Sequence, residues 1–534
     1  MRVRAMAPTR ACVRRGHLGQ PRSPAHLIVG GSRRRTQIRR PARRTDQDSA
    51  VGEEVLRQIA RVKSEAERRV ASGSGDHASS DGVAPEPTPE SIELAQGVRR
   101  AAELLSTGLV EREVEVKLML LAALAGEHLL LLGPPGTAKS ELARRLSSVC
   151  QGAYFERLLT RFSVPEELFG PLSMRGLEND RYERQTAGYL PEAEVAFIDE
   201  IFKANSAILN ALLTLLNERL FDNGSERLDV PLLCMVGASN ELPESEELDA
   251  LFDRFLIRKT VNQVSSQGLR QLAKLAAGGA TSKPFQAQQS EHANAPALPS
   301  LADFVQCHDA AVAAVSVPDA VLDMLAGLRD HLQDKCEPPI YVSDRRFTKC
   351  VQLLQVAAYA NGASVVSAYD ALILQFALGQ RQEDGEKVAA YVQEHIQGEA
   401  AILNAELALL GLFGRACRVL EAGEEGGADA REELVREGKG VMADLRGQEA
   451  SLASALEGGF PLMRGSLWFS PQQVASAAQV MAPPMKENLN KVRLLAEETL
   501  CVLLCLEEKA ERQVLEKVLP KRLRQYEKGV GADA

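Results

Sequence analysis

The eight residues Gly133 to Ser140, GPPGTAKS, constrain this chain more than any other stretch. They follow an apolar run, Leu129 to Leu132, and precede an amphipathic segment, Glu141 to Val149, so they read as the loop between a strand and a helix. Gly133 and Gly136 let the backbone curl until successive N–H groups face one point, where the N-terminus of the next helix adds partial positive charge. Such a loop cradles phosphate. Lys139 can then reach the β- and γ-phosphates of a nucleotide, and the Ser140 hydroxyl can hold Mg2+. The expected nucleotide-binding set is Gly133, Pro134, Pro135, Gly136, Thr137, Ala138, Lys139 and Ser140. Ala138 stands where the strict pattern asks for glycine, which puts a Cβ where the backbone must avoid strain.

A second apolar run, Val195 to Ile198, ends in Asp199 and Glu200. In an open α/β sheet ligands sit outside the carboxyl ends of the strands, which brings both acids beside the phosphate loop. There Asp199 suits the Mg2+ site, and Glu200 suits orienting and polarising an attacking water. A third run, Leu232 to Gly237, leads to Asn240, whose amide suits sensing the γ-phosphate or holding the water. Tyr154–Leu159 and Leu256–Val261 complete five candidate strands. Strands apolar throughout and separated by helices, such as those read at Ser91–Leu104 and Glu111–Ala125, argue an α/β fold with a parallel sheet covered on both faces.

At 534 residues the chain has room for three to four domains of about 150 residues each. No uninterrupted apolar run approaches about 18 residues, which argues against a membrane span. The nine cysteines show no CxxC pair and no metal-ligand spacing, so neither a disulfide scaffold nor a zinc site is expected. The net charge of −9 hides an asymmetry: 13 of the 63 basic residues lie in residues 1–44, all arginine, and no acid precedes Asp46. That leader reads as an organellar transit peptide, 1–45, addressed to the chloroplast (plastid stroma), with the mitochondrion or a basic nucleic-acid-binding arm as alternatives. The acidic remainder and an aromatic content of 4% disfavour a single-strand nucleic-acid channel.

The expected organisation continues with a linker and short helix over 46–90, an α/β nucleotide-binding domain over 91–261 and a helical lid over 262–382 interrupted by a disordered insertion at 277–300. A helical tail occupies 383–534, where apolar residues recur at helical spacing from Val388 to Leu420 and from Leu489 to Val518. Cys501 and Cys505, one turn apart, read as packing residues.

Together with TRFSVPEELFGPLSMRGLENDRYERQTAGYLPEAEVAFIDEIFKANSAILNALLTLLNERLFDNG, ASNELPE, LDALFDRFLIR and YVSDRRFTKCVQLLQ, these motifs resemble AAA+ ATPases, specifically the MoxR group and most closely its RavA branch. The resemblance covers about Glu90 to Gly379. It implies a five-stranded α/β domain and a small helical lid, with ATP bound between subunits of a hexameric ring. Position by position it makes GPPGTAKS the Walker A loop, Asp199 and Glu200 Walker B, and Asn240 sensor 1. It makes Arg254 the arginine finger acting on the neighbour's ATP, Arg345 (with Arg346 adjacent) sensor 2, and Val110 in GLVERE a contact near adenine. The family implies a von Willebrand A-type partner. Its insertion before Walker B, here Arg161 to Pro191, either faces a pore or partner or is a rigid structural hairpin. Bacterial relatives carry a β-rich domain in the tail, but between Glu421 and Pro484 this chain shows Gly-rich acidic sequence and broken helices instead. The expected activity is Mg2+-dependent ATP hydrolysis driving remodelling or assembly of partner complexes. An ATP-gated scaffold with little turnover and a chelatase-like metal-insertion subunit are the alternatives.

Overall fold

Four consecutive leucines, Leu129–Leu132, form the strand β1, and a strand can be apolar at every position only if both faces of its sheet are covered. The structure is a computed structural model that describes residues 46–72, 86–243, 245–277, 297–379, 381–422 and 428–530. The other strands are β2 (Tyr154–Leu158), β3 (Val195–Asp199), β4 (Leu220–Asn223), β5 (Glu226–Asp229), β6 (Cys234–Ser239) and β7 (Ile257–Thr260). Five of them make a parallel sheet in the order β2-β3-β6-β1-β7, while β4 and β5 pair as a separate antiparallel ribbon.

Successive side chains alternate between the two faces. Leu129, Leu131, Val195, Phe197, Val236 and Ala238 pack into a core with the helices α2 (Pro89–Ser106), α3 (Glu113–Leu124) and α4 (Lys139–Cys150). Leu130, Ala196, Ile198 and Met235 face the opposite way, onto the helices over Ser206–Glu218 and Glu246–Arg254. The expected strand over Leu232–Gly237 is shifted two residues along. Leu232 and Leu233 are buried, but the Leu233 and Cys234 amides both donate to the Glu194 carbonyl, so the ladder starts where Cys234 meets Val195. Burial alone does not distinguish a covered approach from a paired strand.

The remaining helices, in chain order, are α1 (Asp46–Ser72), α5 (Glu166–Phe169), α6 (Met174–Glu178), α7 (Ser206–Glu218), α8 (Glu246–Arg254), α9 (Ser266–Ala277), α10 (Leu301–Ala314), α11 (Asp319–Asp330), α12 (Asp344–Ala360), α13 (Gln382–Ile396), α14 (Glu399–Ala422), α15 (Ala428–Glu457), α16 (Pro461–Gly465), α17 (Pro471–Glu507), α18 (Arg512–Val518) and α19 (Pro520–Val530). From Val55 onward the chain forms one compact unit. The lid is built around α10 and α12, and the tail around α14, α15 and α17. The broken helices expected in the tail are replaced by long ones: α15 runs for 30 residues, and α17 continues through Pro483 and Pro484 for 37. Each proline removes an amide donor, but Met481, Met485 and Asn488 are buried on either side, and packing there overrides local propensity. The turn between α15 and α17 is pinned to the lid and α3: the Trp468 indole donates to the Ala357 carbonyl at 2.8 Å, and Lys117 donates to the Phe469 carbonyl at 3.0 Å.

By length and composition one helical stretch, Glu383–Glu421, is apolar enough to cross a membrane. Within it Leu409, Leu412, Phe413, Ala416 and Cys417 are buried in the core that α14 shares with α15 and α17, the behaviour of a core helix in a bundle. The proposed transit peptide, and 73–85 and 278–296 of the expected linker and insertion, lie outside the described residues.

Candidate nucleotide-binding site

The loop after β1 is shaped by three residues with positive φ. Gly133 donates its amide to the Ser239 carbonyl at 2.9 Å, and a Cβ on it would lie 2.2 Å from the Val261 carbonyl oxygen, so only glycine fits there. Gly136 has φ +77°, and Ala138 is left-handed at φ +68°, ψ +21°. Lys139 is the first residue of α4, and its ammonium donates back to the Gly133 and Pro134 carbonyls at 2.6 and 3.1 Å. The Thr137 hydroxyl donates to the same Pro134 carbonyl at 3.0 Å. A loop curled through three positive-φ residues into the start of a helix fits a polyphosphate.

Ala138 gives a direct test. A left-handed alanine costs about 1–2 kcal/mol, of which glycine recovers the part not offset by the greater freedom of its unfolded chain. Ala138→Gly is expected to raise stability by about 0.5–1 kcal/mol, read from the urea midpoint, with nucleotide binding retained. A lowered midpoint would contradict the strain.

The ends of β3 and β6 lie beside this loop. Asp199 closes β3 and accepts the Glu200 amide at 3.0 Å, and burial pushes its pKa up against that hydrogen bond and the charge of Lys139. Burial also lowers the Lys139 pKa, while Asp199 and Glu200 counter it. A part-buried carboxylate with a single amide donor suits a cation, and Ser140 is the second residue of α4. Among the described residues no group of three or more His, Cys, Asp or Glu forms a metal site. Asn240, just past β6, donates its side-chain amide to Glu200 Oε1 at 2.6 Å. Lys139, Asp199, Glu200 and Asn240 are thus gathered at one end of the sheet. A cavity of about 470 Å3 opens beside them, lined by Gly133, Asn240, Arg258, Thr260 and Gln375.

Val110 is buried in the turn before α3. Two residues on, Arg112 donates to the Thr137 carbonyl at 3.2 Å and to the Asn262 carbonyl at 2.8 Å, clipping this turn to the phosphate loop. Sequence reasoning missed Arg112, because nothing marks an arginine in a turn as buried.

Arg254 and Arg345 form a second group. Arg254 ends α8, its Nε buried without a hydrogen-bond partner. Its pKa is lowered first by burial and then by Arg345, which stands exposed at the start of α12. Neither makes a hydrogen bond or ion pair with the phosphate loop among the described residues. Arg346 is buried instead, its Nη1 3.0 Å from Asp253 Oδ1 and its Nε 2.7 Å from the Ala377 carbonyl, so of the two adjacent arginines only Arg345 is free to meet a ligand.

Contacts within the sheet side of the domain hold the insertion Arg161–Pro191 as a structural hairpin. Its base is fixed: a bridge joins Leu172 to Arg184, the Arg184 amide donates to Asn223 Oδ1 at 2.6 Å, and a Cβ on Gly224 would lie 2.2 Å from the Tyr182 carbonyl oxygen. Within the insertion Phe162 and Met174 are exposed (91% and 72%).

The strand order, the loop after β1 and the two acids after β3 define a nucleotide-binding domain of the AAA+ type with a helical lid and a helical tail. Residues 96–302 match the family described as the MoxR domain in MoxR-vWA-beta-propeller ternary systems, and residues 320–392 match an AAA lid domain. Two uncharacterized proteins of Methanocaldococcus jannaschii are 40% and 39% identical to this chain over 53% and 55% of its length, covering 70% and 74% of their own. The chaperone MoxR1 of Mycobacterium tuberculosis is 28% identical over 31% of this chain and 44% of its own length. The chain belongs to the MoxR-type AAA+ ATPases.

Proposed function

We propose that the chain is an Mg2+-dependent ATPase of the RavA-like branch that works as a hexameric ring and spends hydrolysis on remodelling or assembling partner protein complexes. In this reading Lys139 and the loop amides bind the β- and γ-phosphates, and Ser140 with Asp199 hold Mg2+, which neutralises phosphate charge. Glu200 orients the attacking water, Asn240 senses the γ-phosphate, and Val110 packs beside adenine. Arg254 serves the ATP of the neighbouring subunit as the arginine finger, and Arg345 acts as sensor 2 from the lid. The observation that carries the reading is that one end of the sheet gathers Lys139 on the phosphate loop with Asp199, Glu200 and Asn240, the last two joined at 2.6 Å. A von Willebrand A-type protein is the proposed partner, supported by the description of the matched family. The arginine-rich leader supports the plastid stroma as its address, with the mitochondrion as the alternative.

The test is ATP turnover per subunit across a protein-concentration series. Turnover should rise steeply with concentration and vanish in Lys139→Ala. Flat, negligible turnover with tight ATP binding would replace this reading with the ATP-gated scaffold. Unchanged turnover in Lys139→Ala would remove the site assignment.

A further inference from the structure

Resting on the ATPase reading above, we infer that Lys203 is a positioning residue for hydrolysis, holding one oxygen of the Glu200 carboxylate so that the other meets the attacking water. Both oxygens are occupied in the structure: Oε1 accepts Asn240 Nδ2 at 2.6 Å, and Oε2 lies 3.2 Å from the Lys203 ammonium. The two partners differ in kind. Asn240 sits on a strand end facing the phosphate loop, and on sensing a γ-phosphate it must turn its amide away, which frees Oε1. Lys203 follows Glu200 on the same short turn, and Glu200 is its one side-chain partner among the described residues.

Its backbone is fixed relative to Glu200. The Lys203 amide donates to the Glu200 carbonyl at 2.8 Å across a single helical turn, Ile201–Lys203, whose Ile201 is fully buried. Glu200 itself is left-handed at φ +54°, with its amide tied to Asp199. The turn then runs into Asn205, which caps α7 and donates to the Ser163 carbonyl at 2.7 Å. A carboxylate on a flexible two-carbon stem is thereby given one fixed cationic contact. Fixing a reacting group is worth far more to rate than an exposed ion pair is to stability.

In the step itself the water oxygen bonds to the γ-phosphorus while the bond from that phosphorus to the β,γ-bridging oxygen breaks, its electron pair leaving on ADP. The water proton passes to Glu200 Oε1 and then to product phosphate. Lys203 touches none of these atoms. It keeps Oε2 engaged, so Oε1 is the oxygen presented.

The experiment measures steady-state ATP turnover and nucleotide affinity of the full chain at a concentration where the wild type is fully active. Lys203→Met should lower kcat about tenfold, a fraction of the roughly 10²–10⁴ that general-base catalysis contributes, with KM and ATP affinity unchanged. Lys203→Arg should restore most of the rate. In a Glu200→Gln background Lys203→Met should cause no further loss, because the carboxylate it positions is gone. An unchanged kcat in Lys203→Met, a raised KM in its place, or an equal fold-loss in the Glu200→Gln background would each overturn the role. Wild-type turnover that survives Glu200→Gln would instead overturn the assignment of Glu200, and no wild-type turnover at any concentration would overturn the ATPase reading itself.

Discussion

Arg254→Ala should abolish turnover of the concentrated protein while leaving ATP binding nearly intact, a loss of about 10³-fold or more of the kind an arginine finger contributes. The electrostatics around Arg254 say why. Asp253, its neighbour in sequence, is the nearest anion, but Oδ1 already serves Arg346 at 3.0 Å and Arg258 at 3.7 Å, and Oδ2 lies 4.0 Å from Arg254. One carboxylate is thus divided among three guanidinium groups, and Arg345 adds a fourth positive charge close enough to lower the Arg254 pKa. A guanidinium does not escape by losing its proton, so the pair is left with uncompensated charge that a triphosphate would satisfy. The Nε of Arg254, buried without a partner, carries an unmet hydrogen-bonding cost of the same sign. In the proposed ring that triphosphate belongs to a neighbouring subunit. A mixing experiment follows. Arg254→Ala subunits carry an intact phosphate site, and Lys139→Ala subunits carry an intact finger, so two inert preparations should regain partial activity when combined. Arg254→Ala protein that turned over normally, or mixtures that stayed inert while forming mixed rings, would end the trans assignment.

The sheet was legible because its strands are buried on both faces and so are apolar throughout: Leu129–Leu132 and Val195–Ile198 leave few alternatives. What periodicity could not supply was register. Leu232 and Leu233 look like strand because they are buried, and only the pairing of Cys234 with Val195 shows where the ladder begins. The helix over Asp46–Ser72 runs for 27 residues, longer than the short helix expected within 46–90, since its length depends on company. Arg61 and Arg69 reach Glu508 and Glu507 in the tail, more than 400 positions away, at 3.5 and 3.9 Å. The same limit governs the site. Loop glycines and strand-end acids announce themselves through local pattern, so Gly133–Ser140, Asp199 and Glu200 could be singled out. Lys203 could not, because a lysine in a short turn has no signal until its distance to Glu200 is known. The pairing of Arg254 with Arg345 was equally hidden, the two lying on different elements of domain and lid.

The larger structural effect is expected at Arg346. Its side chain is 6% exposed, and every nitrogen of the guanidinium is used: Nε to the Ala377 carbonyl, Nη1 to the Asp253 carboxylate, and Nη2 to the Leu256 carbonyl at 2.9 Å. These acceptors belong to the end of the lid, to the last turn of α8 and to the segment joining α8 to β7, so one side chain from α12 ties them together. Arg346→Ala removes the donors and leaves buried carbonyls unsatisfied, a loss of about 3 kcal/mol. The Asp253 contact adds little to that, because its carboxylate is 47% exposed and solvent screens it. In thermal unfolding this should appear as a melting temperature lower by several degrees, with Arg346→Lys recovering little, since one ammonium cannot reproduce a planar fork of five donors. Catalysis should fail further than stability does. Arg345 is the adjacent residue, and Arg254 follows the Asp253 that Arg346 holds, so loosening this clamp moves both cations at once. Turnover measured well below the variant's melting temperature should therefore drop more than tenfold while ATP affinity at the subunit's own phosphate loop persists. A variant melting within a degree of the wild type would show that the lid is held by its apolar core alone. A destabilised variant with normal turnover would show that the two arginines keep their places without Arg346.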